Sequence, residues 1–153
     1  MTIHHWEPPE AGLREMRRVA RHRVVVFTFD LAALPAWQQA YLADGLELER
    51  SRFPSVQRIA DALGGEIRVE EIPTPADCVD GFLEAFWNRP EALLDPQVRA
   101  CQSMWALVGP EIEERIVSGL RDDLESGEWD RRHGHLRAMT SYNGSLRIVI
   151  STE

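Results

Sequence analysis

Three stretches decide the fold class by their order: Thr2-Ile3-His4-His5-Trp6, then Pro8-Pro9 running on to Ala20, then Arg23-Val24-Val25-Val26-Phe27-Thr28-Phe29-Asp30. The first has the composition of a strand end passing into a loop. Pro8 and Pro9 suit the first turn of a helix, where a missing N–H costs nothing, and Leu13, Met16 and Ala20 follow at helical spacing. Arg14, Arg17, Arg18 and Arg21 fall on the outer side of that helix. The third stretch is β-branched and aromatic throughout, which predicts a strand buried on both faces of a parallel sheet. Strand end, helix and buried strand in succession belong to an α/β fold.

Beyond Asp30 the pattern turns helical. Leu34 to Leu42 predicts a short helix with Trp37, Ala40 and Tyr41 on one face, and Leu46-Glu47-Leu48-Glu49-Arg50 begins another. Ser55 caps a further helix whose stripe is Val56, Ile59, Ala60 and Leu63, with Gly64 as a left-handed stop. Ile67-Arg68-Val69-Glu70 alternates, as a strand with one wet face does. Residues 76–126 predict three helices. Val79, Phe82, Leu83 and Phe86 line the first. Val98, Cys101, Trp105 and Val108 line the second, opened by Asp95-Pro96. Ile112, Ile116, Leu120 and Leu124 line the third, opened by Pro110. Leu146, Ile148 and Ile150 alternate in a last strand. Asn143-Gly144 before it favours a hairpin in which Leu136 to Tyr142 pairs back on that strand.

The chain has 153 residues, one domain by length, since common domains hold about 100–150 residues. Its 44% hydrophobic and 27% charged content suits a globular protein, and no apolar run approaches the ~18–20 residues of a membrane span. Thr2 to Glu10 is polar and proline-interrupted, unlike a signal peptide, so the expected location is cytoplasmic. All 17 Lys/Arg positions are arginine, which GC-rich coding explains without a functional demand. The net charge of −8 lies in the body after Asp30 and argues against nucleic acid as a partner, because phosphate neutralisation needs a basic stripe. Cys78 and Cys101 lack metal or redox spacing, and no basic neighbour in sequence lowers the Cys78 thiol enough for a nucleophile.

Several of these stretches resemble the middle and end of a class I S-adenosylmethionine-dependent methyltransferase. In that family a sheet strand ends in an Ile-His-His-Trp-like loop, matched by Ile3-His4-His5-Trp6. A helix with a Glu-x-x-Arg-Val pattern follows, matched around Glu15-Met16-Arg17-Arg18-Val19-Ala20, and then a hydrophobic strand, matched by Phe27-Thr28-Phe29-Asp30. A small-molecule branch of the family is similar over Pro75-Ala76-Asp77-Cys78-Val79-Asp80-Gly81-Phe82, Ala85-Phe86-Trp87-Asn88-Arg89-Pro90-Glu91 and Asp123-Leu124-Glu125-Ser126-Gly127-Glu128-Trp129-Asp130. The resemblance spans the chain but only the C-terminal half of the family domain. The family's Gly-rich cofactor loop has no match, since Gly64-Gly65 follows a helix rather than a strand.

The resemblance implies a partial Rossmann-like methyltransferase sheet, with strands near 23–29, 66–71 and 145–151 and a stub at 2–4. The last strand would run antiparallel between the other two. Residues 1–153 form a single partial domain on this reading, with cap helices within 31–50 and 76–126. His4, His5 and Trp6 become the cofactor-side loop, with His4 and His5 as candidate proton acceptors near an ordinary pKa of ~6.5. Asp77, Phe82, Phe86, Trp87 and Arg89 become the wall for a small-molecule acceptor; aromatic groups with a few polar ones suit such a pocket. Asp77 or Asp80 also serves as an ordinary helix cap, and Phe82, Phe86 and Trp105 as an ordinary core stripe.

No metal site is expected. Adjacent His4-His5 point apart, and His133-Gly134-His135 lacks further ligands at zinc-like spacing. Trp129 to His135 matches a branch segment whose arginines would pair with Asp122, Asp123 and Glu125. The implied activity is transfer of a methyl group from S-adenosylmethionine to a small molecule, once the missing N-terminal half completes the domain. The alternative is a non-catalytic remnant that binds substrate or dimerises. The cofactor is not expected to bind this chain alone. An open sheet edge near Thr2-Ile3 calls for the missing half or a second copy in a homodimer.

Overall fold

The computed structural model describes residues 2–153, and internal contacts divide them into two compact units. The first holds residues up to 33, 50–72 and 143–153; the second holds 34–49 and 73–142. The expected cap ranges fall largely in the second.

A 3₁₀ turn, Ile3–His5, stands where a strand stub is expected. Helix α1, Pro9–Val19, begins on the second proline as its missing N–H allows. Strand β1 is Arg23–Phe29. Helices α2 (Ala36–Tyr41) and α3 (Ala43–Arg52) follow, and then α4, Val56–Leu63, whose Ser55 hydroxyl accepts from the Arg58 N–H at 3.2 Å. Strands β2 (Glu66–Glu71) and β3 (Thr74–Pro75) lead into helices α5 (Pro96–Ala100), α6 (Ser103–Leu107), α7 (Pro110–Glu125) and α8 (Glu128–His133). Strands β4 (Ser141–Tyr142) and β5 (Leu146–Thr152) close the chain.

In the first unit the sheet order is β1-β5-β2, with β5 antiparallel to both neighbours. This is the place the resemblance gives the last strand. One face packs on α1 and α4 through Ile3, Leu13, Val24, Val26, Ile59, Leu63 and Val149. Burying such side chains stabilises by roughly 1.5–3 kcal/mol each. The other face departs from the expectation of a strand buried on both sides. Val25 and Phe27 stay 50% and 42% exposed, and Ile150 and Ile148 lie opposite them in register. A β-branched run forms a strand whether or not its second face is covered; α1 and α4 cover only one.

Gly64 and Gly65 turn the chain from α4 into β2 with φ of 63° and 74°. Gly65 lies so close to the Thr152 carbonyl that an added Cβ would stand 2.1 Å from its oxygen. The Ser151 hydroxyl donates to the Gly64 carbonyl at 2.7 Å, tying the same turn to β5. The glycine pair is therefore a sheet-helix junction.

The second unit is helical around Trp37, Trp87 and Trp129, each fully buried. The Trp37 indole N–H donates to the Trp87 carbonyl at 2.8 Å, and the Trp37 and Trp129 rings meet edge to face at 5.7 Å. Three sequence expectations are corrected here. The first of the three helices forms as turns, including 3₁₀ turns Leu83–Phe86 and Pro90–Leu94. Buried Glu84 accepts from the Thr74 hydroxyl at 2.7 Å, and Val79 points wholly into solvent. The expected helix from Asp95 to Val108 breaks into α5 and α6. Gln102 stands between them in extended backbone and accepts from the Trp105 indole at 3.1 Å, while Cys101 is exposed. The expected hairpin at Asn143-Gly144 is replaced by a pairing of β4 with β3, Thr74 opposite Tyr142.

Asp95 does cap α5, accepting from the Gln97 N–H at 2.8 Å, and Pro110 opens α7. Arg132 reaches Asp123 at 3.9 Å as expected, but its nearer partner is Glu128 at 2.5 Å. Among the described residues, no helix is long and apolar enough to cross a membrane.

Gly65→Ala places a side chain at positive φ and against a backbone carbonyl that cannot rotate away. Urea denaturation is expected to show a loss of at least about 2 kcal/mol. A change below about 0.5 kcal/mol would mean that the junction is not held as described.

Candidate functional site

The loop after Ile3 is fixed from both sides. Ile3 is in the core, and the Trp6 ring lies on Gly12 of α1, where an added Cβ would meet ring carbon Cε3 at 2.4 Å. That close approach requires glycine. His4, His5, Trp6, Glu7 and Pro9, together with Ser51, Arg52 and Arg58, line a cavity of about 480 Å³. Such a volume is within the usual ~300–1,000 Å³ of small-molecule sites. Arg58 is held by Glu10, with Nε 2.9 Å from Oε1.

His4 is the least ordinary group in this cavity. Its ring stacks on Phe53 at 4.3 Å and tilts against His5 at 3.9 Å. Its buried Nδ1 has no hydrogen-bond partner among the described residues. Burial first, then the positive charges of His5 and Arg52, push its pKa down to about 4. At neutral pH it is an uncharged imidazole.

A second, smaller cleft of about 200 Å³ opens at the C-terminal end of β1. Phe29, Asp30 and Leu31 meet Phe53, Pro54 and Val56 there, with Arg50 at its edge. Phe29 and Phe53 stand edge to face at 5.9 Å. His4 lines the larger cavity, and Phe53, on which it stacks, lines the smaller. Asp30 is fixed by its backbone: its N–H donates to the Ser145 carbonyl at 2.7 Å, and its Oδ1 accepts from the Ala32 N–H at 3.2 Å. Arg147 of β5 lies 3.8 Å from the other carboxylate oxygen and 3.6 Å from Glu71.

His4, His5 and Trp6, taken from the sequence as cofactor-side residues, thus share one cavity. The expected acceptor wall belongs to the second unit and is built otherwise. Trp87 is fully buried, stacked on Tyr142 at 5.5 Å, and Phe86 is also in the core. Arg89 is spent on structure: it donates to the carbonyls of Ala85, at 3.1 Å, and Cys78, and lies over the Phe86 ring. Asp77 is exposed in a turn, with no helix there for it to cap, and Phe82 is half-buried. A sealed indole has no face left for a ligand, so Trp87 reads as packing.

Sequence reasoning missed Ser51, Arg52, Phe53 and Arg58, which the end of α3 and the start of α4 bring to the loop. The available signal was Asp30 itself, since ligands of open α/β sheets bind outside the C-terminal ends of strands.

No family model matches the chain, and no curated protein matches it. Among solved structures it is similar to a crystal structure from Anabaena variabilis ATCC 29413 named "Putative methyltransferase from antibiotic biosynthesis pathway". The two are 29% identical with a TM-score of 0.87, over 99% of this chain and 63% of that one. The fold is methyltransferase-like, and the chain spans under two thirds of that neighbour's length.

The depressed pKa of His4 has a measurable sign. The folded state binds fewer protons than the unfolded chain between pH 6.5 and about 4, so His4 costs stability as pH falls through that window and adds no further loss below it. An NMR titration should place the His4 midpoint near 4, and His4→Asn should flatten the fall in melting temperature over that window. A midpoint near 6.5 would place the ring in water.

Proposed function

We propose that this chain is the acceptor-side portion of a small-molecule methyltransferase, completed by a further segment that supplies the Gly-rich cofactor loop. The observation that carries the reading is the His4–Trp6 cavity at the end of a methyltransferase-like sheet whose β1 edge and second face are open. The likeness to 63% of a longer chain named as a methyltransferase supports it.

The residues present fit one flank of S-adenosylmethionine. Trp6 offers an aromatic face of the kind that attracts a cation, and the polar side of the cavity suits a zwitterion. Gly64-Gly65 is taken up in the junction with Thr152, so on this reading the other flank comes from the completing segment. When bound, this group supplies an activated methyl. The chain's own part is positioning and proton removal. An acceptor O–H or N–H held beside His4 would take the methyl as the donor's carbon–sulfur bond breaks and its electron pair leaves on the sulfur, and would become strongly acidic in doing so. An uncharged imidazole of low pKa then suffices to take the proton, and alignment provides most of the rate. Being neutral, His4 also avoids repelling a cationic donor.

The second partner class is a homodimer, in which another copy covers the open edge. Completion by a segment is the reading argued here because a second copy of this chain brings no Gly-rich loop.

Calorimetry separates these readings. The chain alone is expected to show no saturable S-adenosylmethionine binding. A chimera that adds the part of the Anabaena chain without a counterpart here should bind with unit stoichiometry. A chimera that folds but does not bind would favour the non-catalytic remnant. Saturable binding by the chain alone would remove the need for completion.

A further inference from the structure

We infer that the open face of the β1-β5-β2 sheet is the contact surface of a homodimer, in which a second copy of this chain lies on it with strands reversed, so that Arg68 of each copy meets Glu70 of the other. Such pairing does not depend on the methyltransferase reading. Directly opposed residues of antiparallel strands share a face, so the register defines two rows across the sheet. One row is Val25, Ile150 and Arg68; the next is Phe27, Ile148 and Glu70. Two apolar columns therefore stand beside one column of charge. Val25 and Phe27 are exposed, and Ile148 and Ile150 are half-buried. Arg68 Nη2 lies 2.8 Å from Glu70 Oε1, and both side chains remain open to water. Contiguous apolar surface bordered by charge marks an interaction site more often than a bare surface does.

Symmetry decides how this face meets itself. Two sheets packed face to face keep their strand directions within about 30° of each other. A two-fold axis along the strands would lay β1 over β2 of the second copy, since β5 is central, and so set Val25 over Arg68 and Phe27 over Glu70. Charge would then be desolvated under apolar side chains without gaining a partner. An axis across the strands, passing between the two rows, lays each strand over its own counterpart. Val25 then faces Phe27, Ile150 faces Ile148 and Arg68 faces Glu70, each pair formed twice. Opposite charges on adjacent rows make the face complementary to itself, as an isologous contact requires. Burial of the apolar columns stabilises the pair, and the crossed Arg68–Glu70 contacts fix its register. The β1 edge stays unpaired in this dimer, and a completing segment that covered the same face would take the second copy's place.

The test is sedimentation equilibrium of the full 153-residue chain at low ionic strength, with circular dichroism to establish that each variant folds. The wild-type chain should associate reversibly to twice its own mass. Arg68→Glu and Glu70→Arg should each weaken that association at least tenfold, because each sets like charges together at both crossed positions. An equimolar mixture of the two variants should restore it, since every crossed position then again holds one acid and one arginine. Mixing leaves residues 68 and 70 within each chain unchanged, so an effect inside the chain would not be repaired. A monomer at every accessible concentration would overturn the proposal and leave the face to a completing segment. So would a dimer that neither variant weakens, the outcome of pairing through the β1 edge, or a mixture that stays dissociated. No methyl donor enters the readout, so a failed dimer leaves the methyltransferase reading to calorimetry, and a failed calorimetric test leaves the dimer standing.

Discussion

Everything at the candidate site depends on the last strand of the chain. Strand β5 makes both pairings of its sheet, Phe29 opposite Leu146 at one end and Arg23 opposite Thr152 at the other. Without it β1 and β2 have no partner in that sheet, and isolated strands are not stable in water. The same strand fixes both ends of the site-bearing unit. Ser145 receives the Asp30 N–H just past β1, and Arg147 stands between Asp30 and Glu71. At the far end Ser151 and Thr152 hold the Gly64-Gly65 turn. A ladder that closes over more than a hundred intervening residues carries a large loop-closure cost, and the burial of Val24, Val26 and Val149 against α1 and α4 offsets it.

What was legible in the sequence was what local chemistry decides. Proline at Pro9 and Pro110, serine at Ser55, aspartate at Asp95 and glycine at Gly64 set helix limits through backbone donors that must be met or stopped within a few residues. Arg23–Phe29 was legible as a strand because β-branching acts residue by residue. What was not legible depended on partners distant in sequence. Residues 76–94 carry helical spacing, but Glu84 is drawn into a buried bond with Thr74 and Gly81 and Pro90 interrupt the run. Asn143-Gly144 is good hairpin chemistry, yet Tyr142 finds Thr74 instead. The second face of β1 could not be read at all, because composition does not say how many helices will cover it.

The sequence marks one wall of the candidate site and not the other. Ile3-His4-His5-Trp6 is a loop the sequence marks, and the structure gathers its side chains in one cavity. Arg52 is the last residue of α3 and Phe53 follows it, and α3 carries almost no periodic signal, so only the path of the chain reveals them. The aromatic residues that looked most like a pocket, Phe86 and Trp87, became core instead. Large aromatic side chains bury more area than any others, and a helical unit with three sealed tryptophans uses them for packing first.

Among the described residues β1 pairs with β5 alone and leaves its other edge unpaired, with Val25 and Phe27 partly exposed, and the proposal is that a further segment or copy covers them. Hydrogen exchange measures this directly, because alternate amides of an antiparallel edge strand point toward its partner and the others away. In the isolated chain the amides of β5 and the β5-facing amides of β1 should exchange slowly, and the outward amides between Val24 and Phe29 should exchange orders of magnitude faster. Outward amides as protected as those of β5 would show that the edge is already covered and would contradict the account.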